Sequence, residues 1–218
     1  MTDRPILFSA PMVLAILDGR KTVTRRLVKD AGGAFWDHAG YRPTVVDGRV
    51  RWHCVDTGAE VGPGSPIPTS PYGVPGDRLW VKETWSPWSD VLDCDEAAKL
   101  RDARAQMPWA CILYGADRTW SKSQPSDNGG RWRSPRFMPR WASRLTLDVV
   151  SVRVERLQAI TEEDARAEGV AVDPAALASG ATHRQAFADL WDSLNAKRAP
   201  WASDPWVWRI EFRRAVQP

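Results

Sequence analysis

The chain has 218 residues, 43% of them hydrophobic and 26% charged, which is enough for one substantial core and too few to require two domains. Its net charge of +3 is concentrated in residues 118–144, which contain seven Lys or Arg and one acid, so we expect an anionic partner. No apolar run approaches the roughly 20 residues that span a bilayer, which excludes a membrane-spanning helix and predicts a cytoplasmic protein without a membrane partner.

The first predicted elements flank a short basic segment. Residues 6–9 are typical of a strand, and the apolar residues 12–17 predict a buried helix that begins at Pro11 and ends at Gly19 in a left-handed conformation. The β-branched residues that follow favour a strand over residues 22–27. The polar groups of the basic segment therefore lie where a helix ends and a strand begins.

Two interpretations of this segment remain open on spacing alone. Lys21 is surrounded by arginines, which cannot lose their protons, so like charges lower its pKa, and burial would lower the pKa further. A neutral Lys21 amine near Thr24 would accept the hydroxyl proton and make Thr24 a nucleophile. Alternatively, the segment is a solvated basic turn in which Thr24 is an ordinary strand residue.

The pattern Gly-x-Lys-x-x-Thr-x-Arg, formed by Gly19, Lys21, Thr24 and Arg26, resembles the signature of the ASCH domain. ASCH domains belong to the PUA-like superfamily of nucleic-acid-associated β-barrels, and many carry Glu in place of the threonine. The threonine form is similar to the small bacterial N4-acetylcytidine amidohydrolases. This resemblance implies that Lys21 is the base and Thr24 the nucleophile, with a downstream Glu as third catalytic residue. We also expect Arg20 and Arg26 to bind the substrate.

The middle of the chain predicts further extended structure. An Asp-Gly pair between two extended runs predicts a hairpin over residues 44–52, and the Pro- and Gly-rich residues 62–76 predict an irregular connection. Residues 91–106 have the charge pattern of a helix, with acids early and bases late. Residues 109–114 are typical of a buried strand.

Residues 76–85 form a turn and a strand that resemble a barrel strand of ASCH domains. On that strand, we expect Trp80 and Glu83 to bind the substrate. The resemblance also implies that residues 1–218 form a single ASCH/PUA-like domain, with insertions at about 28–74 and 86–137 relative to the compact hydrolases.

Arginines and aromatic rings alternate between residues 118 and 141. Rings stack on unpaired bases and arginines contact phosphates, so this segment predicts binding of single-stranded nucleic acid. Alternatively, the tryptophans belong to the core and the arginines extend to solvent. The candidate nucleic-acid-binding residues are Arg131, Trp132, Arg133, Arg136 and Arg140.

The last third of the chain predicts two strands and two helices. Residues 145–157 alternate apolar and polar positions with one slip, as a β-bulge would cause. A helix with a capping box is expected over residues 161–169 and an amphipathic helix over residues 182–197, with a strand after it at residues 205–212. The apolar stripe of the second helix, predicted as core, consists of Phe187, Leu190, Trp191 and Leu194.

Glu168 lies at the end of the first of these helices, just before a helix-ending glycine. The negative end of the helix dipole favours the protonated carboxyl, which suits a general acid. The resemblance places Glu168 where the amidohydrolases carry their catalytic Glu. A Glu before a helix-ending glycine is also commonplace, so this assignment depends on the matched Lys21 and Thr24.

We therefore predict an α+β fold: a PUA-like, mixed and mainly antiparallel β-barrel with flanking helices. The predicted function is an amidohydrolase that removes an acyl group from the exocyclic amine of an N4-acetylcytidine-like nucleoside. The alternative is a non-catalytic module that binds RNA or DNA and recognises a modified or flipped base. A ribonuclease is a third interpretation, but His38, His53 and His183 form no evident acid–base pair.

The remaining predictions concern ligands and thiols. Cys54, Cys94 and Cys111 are odd in number and lack a metal-ligand spacing, so we expect reduced thiols, with no metal and no organic cofactor. The expected partner is a modified nucleoside or a single-stranded nucleic acid. The sequence does not determine the oligomeric state.

Overall fold

The computed structural model describes residues 1–29, 41–60, 70–87, 112–117 and 132–215, and the statements below concern these residues. The predicted helix at residues 91–106, residues 109–111 of a predicted strand, Arg131, His38, Cys94 and Cys111 lie outside the described residues. Within them are nine strands: β1 (Asp3–Leu7), β2 (Val23–Leu27), β3 (Tyr41–Val46), β4 (Arg49–Cys54), β5 (Arg78–Lys82), β6 (Trp85–Pro87), β7 (Ile112–Tyr114), β8 (Thr146–Arg156) and β9 (Trp206–Arg214). The described helices are α1 (Ala10–Leu17), α2 (Glu162–Ala167), α3 (Pro174–Ala178) and α4 (His183–Asn195).

The fold is mixed α+β with a mainly antiparallel sheet, as predicted at that level. The main sheet has five strands in the order β1-β5-β8-β9-β2, and two further pairs are formed by β3 with β4 and by β6 with β7. The β2–β9, β3–β4, β6–β7 and β8–β9 pairs are all antiparallel. None of the helices in the described ranges is long and apolar enough to cross a membrane.

The helix predicted before the basic segment is α1, which buries Val13, Ala15 and Ile16. The helix is followed by a glycine in the predicted left-handed conformation, because Gly19 has a φ of 74°. The chain then enters β2 at Val23, so the basic segment does join a helix to a strand.

The predicted hairpin is formed by β3 and β4, with Val46 opposite Arg49 and a two-residue turn between them. Asp47 and Gly48 both have positive φ, 50° and 74°, as a type I′ turn requires. A Cβ atom at position 48 would lie 2.7 Å from Cγ1 of Val74, so glycine also permits close packing there.

The long strand β8 contains the predicted irregularity. Its register with β9 shifts between Val149 and Ser151, which is the signature of a bulge. The shift lets Leu147 and Val149 on one side of it and Val152 and Val154 on the other all be buried. A two-residue period could not have achieved that without the extra residue.

The chain forms two compact units. The first comprises Met1–Arg4, Ala15–Leu79 and Thr146–Pro218, and the second comprises Pro5–Leu14 and Trp80–Leu145. One core cluster in the first unit consists of Leu157, Ile160, Ala165, Phe187, Trp191 and Val207. One in the second unit consists of Trp85, Ile112, Tyr114, Met138 and Ala142.

The predicted stripe of α4 is wrong at one position. Phe187 and Trp191 are buried as expected, but Leu194 is 74% exposed. Ala188 is buried beside Phe187 instead. The buried face of the helix therefore runs through Phe187, Ala188 and Trp191 and does not include Leu194 in the last turn.

Candidate functional site

Lys21 is buried at the junction of α1 and β2, with 3% of its surface exposed. Its backbone N–H donates to the Ala15 carbonyl at 2.9 Å, which holds the residue against the end of α1. Its Nζ donates to the carbonyls of Val23 and Glu168, at 2.8 and 2.7 Å, and to Oε2 of Glu168 at 2.7 Å. Three oxygens thus accept from one amine, which is the arrangement that a charged ammonium requires.

Glu168 reaches Lys21 because of how α2 begins and ends. Thr161 caps the helix by accepting from the Asp164 N–H at 3.1 Å, and Gly169 ends it with φ of 77°. A Cβ atom at position 169 would lie 2.8 Å from the Cβ atoms of both Ala15 and Lys21. The end of α2 can therefore approach Lys21 this closely only with glycine at position 169.

Arg25 is the site residue that the sequence analysis did not select. Its side chain has no exposed surface, and one guanidinium nitrogen lies 3.3 Å from Oε1 of Glu168. The same guanidinium donates to Glu155 from Nε at 2.9 Å and to Asp164 at 2.6 Å. The Glu168 carboxylate is therefore held between two cations, with Lys21 at Oε2 and Arg25 at Oε1.

A second arginine continues this ion network on β9. Arg209 lies directly opposite Arg25 in the β2–β9 register, and both donate to Asp164, Arg209 at 2.9 Å to Oδ1. Burial raises the pKa of Asp164, but hydrogen bonds and charge from Arg209 and Arg25 outweigh it, so the pKa is lowered overall. Asp164 thus separates two arginines whose like charges would otherwise destabilise the pair.

Thr24 is buried on β2, with 4% of its surface exposed. Because side chains alternate along a strand, it points to the face opposite that of Arg25. The Lys21 amine binds the Val23 carbonyl, so it lies against the peptide group that joins Val23 to Thr24. Lys21 and Glu168 therefore meet in one buried contact of the first unit, and Thr24 is buried close to it in the chain, on the face of β2 opposite Arg25.

Burial is the largest influence on the Lys21 amine and lowers its pKa. The charge of Glu168 and its hydrogen bond act in the opposite direction, and the positive charges of Arg26 and Arg25 lower the pKa further. The lowered pKa agrees with the direction predicted from the sequence, although desolvation contributes more than the neighbouring arginines. The pKa of the Lys21 amine is therefore lowered overall.

Arg26 and Arg20, both predicted to bind substrate, lie in different surroundings. Burial lowers the pKa of Arg26, and it lies within electrostatic reach of Tyr72 and Glu168. Burial raises the pKa of Tyr72, and the charge of Arg26 opposes that shift. Arg20 is at the surface with 49% of its side chain exposed, where it pairs with Asp18 at 2.9 Å.

Glu83, also predicted to bind substrate, is buried in the second unit and bound by Arg144. The Arg144 guanidinium donates to its two oxygens at 2.9 and 3.0 Å and lies 4.0 Å from the centre of the Tyr114 ring. Burial raises the pKa values of Glu83 and Tyr114. The fourth residue of this set, Trp80, has the cations of Lys82 and Arg140 near its ring, at 5.3 and 5.9 Å.

The described part of the aromatic and basic segment is largely exposed. Trp132 is half-buried, whereas Arg133, Arg136 and Arg140 are exposed. Two rings that were not singled out from the sequence, Phe137 and Trp141, are exposed as well. Spacing alone could not show which ring faces solvent, because the segment consists of short turns without a regular period.

Within the described ranges, no group of three His, Cys, Asp or Glu side chains is placed to hold a metal ion. His53 contacts the Gly58 carbonyl at 3.3 Å, and His183 contacts Glu162 at 3.0 Å on the surface. Comparisons with protein families, with curated proteins and with solved structures found no match to this chain.

Proposed function

We propose that the protein is an amidohydrolase with a PUA-like fold that removes an acyl group from the exocyclic amine of an N4-acetylcytidine-like nucleoside. The observation that carries the proposal is the buried contact of 2.7 Å between Nζ of Lys21 and Oε2 of Glu168. Thr24 follows directly after the peptide carbonyl that binds this amine. An acid, a base and a hydroxyl are the groups that acyl transfer through a threonine ester needs.

The first step is a proton transfer within the ion pair. As an ammonium, Lys21 has no lone pair and cannot act as a base. Transfer of one proton from Nζ to Oε2 of Glu168 gives a neutral amine and a neutral carboxylic acid. Burial is the largest influence on the Lys21 amine and lowers its pKa, which makes the amine a better proton donor.

Acylation then uses both members of the neutral pair. Lys21 accepts the hydroxyl proton as Oγ of Thr24 attacks the acyl carbon, and the half-buried Arg26 or a backbone amide stabilises the oxyanion. Glu168 donates its proton to the exocyclic nitrogen as the C–N bond breaks. The products are the free nucleoside and an acyl ester of Thr24, and the ion pair is restored.

Water completes the cycle. The Glu168 carboxylate accepts a proton from the attacking water, and Lys21 returns a proton to Oγ as the ester bond breaks. The acid leaves, and the neutral Lys21 and Glu168 exchange a proton to restore the ion pair. Arg25 acts through Glu168, since it fixes Oε1 while Oε2 faces Lys21.

The proposal is tested by incubating the purified protein with a panel of N4-acylated nucleosides and detecting the products by mass. We expect release of the free nucleoside and the carboxylic acid, abolition of release by Thr24→Ala, and nucleoside binding that survives this change. Thr22→Ala is the matched control, because Thr22 is exposed in the same segment. Nucleoside binding without release of acid would replace the hydrolase with the non-catalytic reader.

A further inference from the structure

A cluster of exposed rings and cations lies between residues 133 and 141 of the second unit. Phe137 is 71% exposed and Trp141 is 46% exposed, which is unusual for large aromatic side chains. We call this cluster the arginine–aromatic surface, and its members are Arg133, Arg136, Phe137, Arg140 and Trp141. The proposed hydrolysis of a nucleoside does not use it.

Packing beneath this surface holds the chain in place. The two rings lie in short turns, Pro135–Phe137 and Arg140–Ala142, and Met138 between them is buried. The Trp141 ring meets the buried Trp85 ring edge-on, with centroids 6.0 Å apart. The backbone is fixed from below while the rings face outward, so little conformational entropy would be lost when a ligand stacks on them.

The charge of the same segment is uniformly positive. Residues 132–144 contain four arginines and no acid. Arg144 is turned to Glu83 and Asp117, whereas Arg133, Arg136 and Arg140 are exposed. Among the described residues, no acidic side chain forms an ion pair with Arg133 or Arg136. The surface therefore attracts a polyanion.

We propose that the arginine–aromatic surface binds single-stranded nucleic acid, with Phe137 and Trp141 stacking on unpaired bases and Arg133, Arg136 and Arg140 contacting phosphates. Exposed rings together with arginines favour a single strand over a duplex, because a duplex hides the faces of its bases and leaves the rings nothing to stack on. The sequence analysis placed the stacking ring at Trp132, but the structure exposes two other rings more fully.

The test uses the full chain and fluorescently labelled single strands of about 12 nucleotides, within the usual site sizes, one of oligo-dT and one of oligo-U. Phe137→Ala and Trp141→Ala are each expected to weaken binding by about 5- to 150-fold, the range for loss of one stacking ring. Leu194→Ala is the control, since it also removes an exposed apolar side chain and should leave binding unchanged.

Salt dependence tests the phosphate contacts. Arg136→Gln is expected to reduce the slope of log affinity against log salt by about 0.7, the value for one contact on a single strand. Arg153→Gln removes an exposed arginine of β8 and should leave the slope unchanged. The oligo-dT and oligo-U strands distinguish DNA from RNA as the source of the ligand.

The proposal would be overturned if neither strand bound, or if the wild type and both ring variants bound the strands equally well. It would also be overturned if anionic vesicles bound as tightly as the strands and that binding depended on the same two rings. Circular dichroism checks that the variants fold, which their exposure leads us to expect. Binding that persists in a protein that releases no acid would refute the hydrolase alone. Loss of strand binding in Trp141→Ala with unchanged nucleoside turnover would separate the two functions.

Discussion

Lys21 and Glu168 are 147 positions apart in the chain, yet Nζ of one lies 2.7 Å from Oε2 of the other in a buried contact. A buried ion pair is weak evidence for stability, because desolvation opposes the Coulomb attraction. Here the pair also has Arg25 on its other carboxylate oxygen, and Thr24 lies three residues after Lys21 in the chain. These neighbours give the pair a chemical interpretation as well as a structural one.

Breaking the pair from one side should destabilise the fold strongly. Glu168→Gln leaves a buried ammonium without its carboxylate, and we expect the free energy of unfolding to fall by about 3–5 kcal/mol. The double variant Lys21→Met with Glu168→Leu removes both charges and should recover much of that loss while remaining inactive. Urea unfolding measures the stabilities. A double variant less stable than Glu168→Gln would mean that the pair itself stabilises the fold.

Arg25 should affect the reaction through Glu168 without binding the substrate. Arg25→Lys keeps a positive charge, but its single amine cannot contact Glu155, Asp164 and Glu168 in the geometry of the guanidinium fork. We expect kcat to fall by about tenfold or more with KM nearly unchanged, together with a shifted pH–rate profile. Steady-state kinetics across pH measure this. An increase in KM alone would instead assign Arg25 to substrate binding.

The close approach at Gly169 gives a prediction with an internal control. Gly169→Ala adds a Cβ atom 2.8 Å from the Cβ atoms of Ala15 and Lys21 at a φ of 77°, so strain and clash act together. Gly180→Ala has a similar positive φ of 94° but meets nothing within 4 Å. We expect a loss of about 1 kcal/mol at position 180 and clearly more at position 169. Thermal unfolding measures both variants. Equal losses of stability at positions 169 and 180 would show that the contact of position 169 with Lys21 relaxes easily.

The lowered pKa of Asp164 should make the free energy of unfolding depend on pH. Its pKa is lowered in the folded protein, so the unfolded chain binds more protons in the interval between the folded and unfolded pKa values. The stabilisation is thus present above the unfolded pKa and is lost as the pH falls through the folded pKa. Asp164→Asn should flatten this acid limb in unfolding experiments. Glu163→Gln, an exposed change in the same helix, should leave it in place.

The sequence alone determined the features that depend on a few adjacent residues. The turn at Asp47 and Gly48 follows from the preference of that pair for positive φ, and the cap at Thr161 follows from its hydroxyl preceding a helix. The bulge between Val149 and Ser151 was visible as a slip in the apolar period. Each of these signals lies within a few residues of the structure that it specifies.

Only the tertiary structure decided which side chains meet. It brought Arg25 to Glu168 and left Arg20 at the surface, although both arginines belong to the same basic segment. It also exposed Leu194, which the helical period had placed in the core. The physical reason is that strand pairing and helix packing set the direction and the end of each buried face. The contact of Arg25 with Glu168, for example, joins residues 143 positions apart, where no local pattern records it.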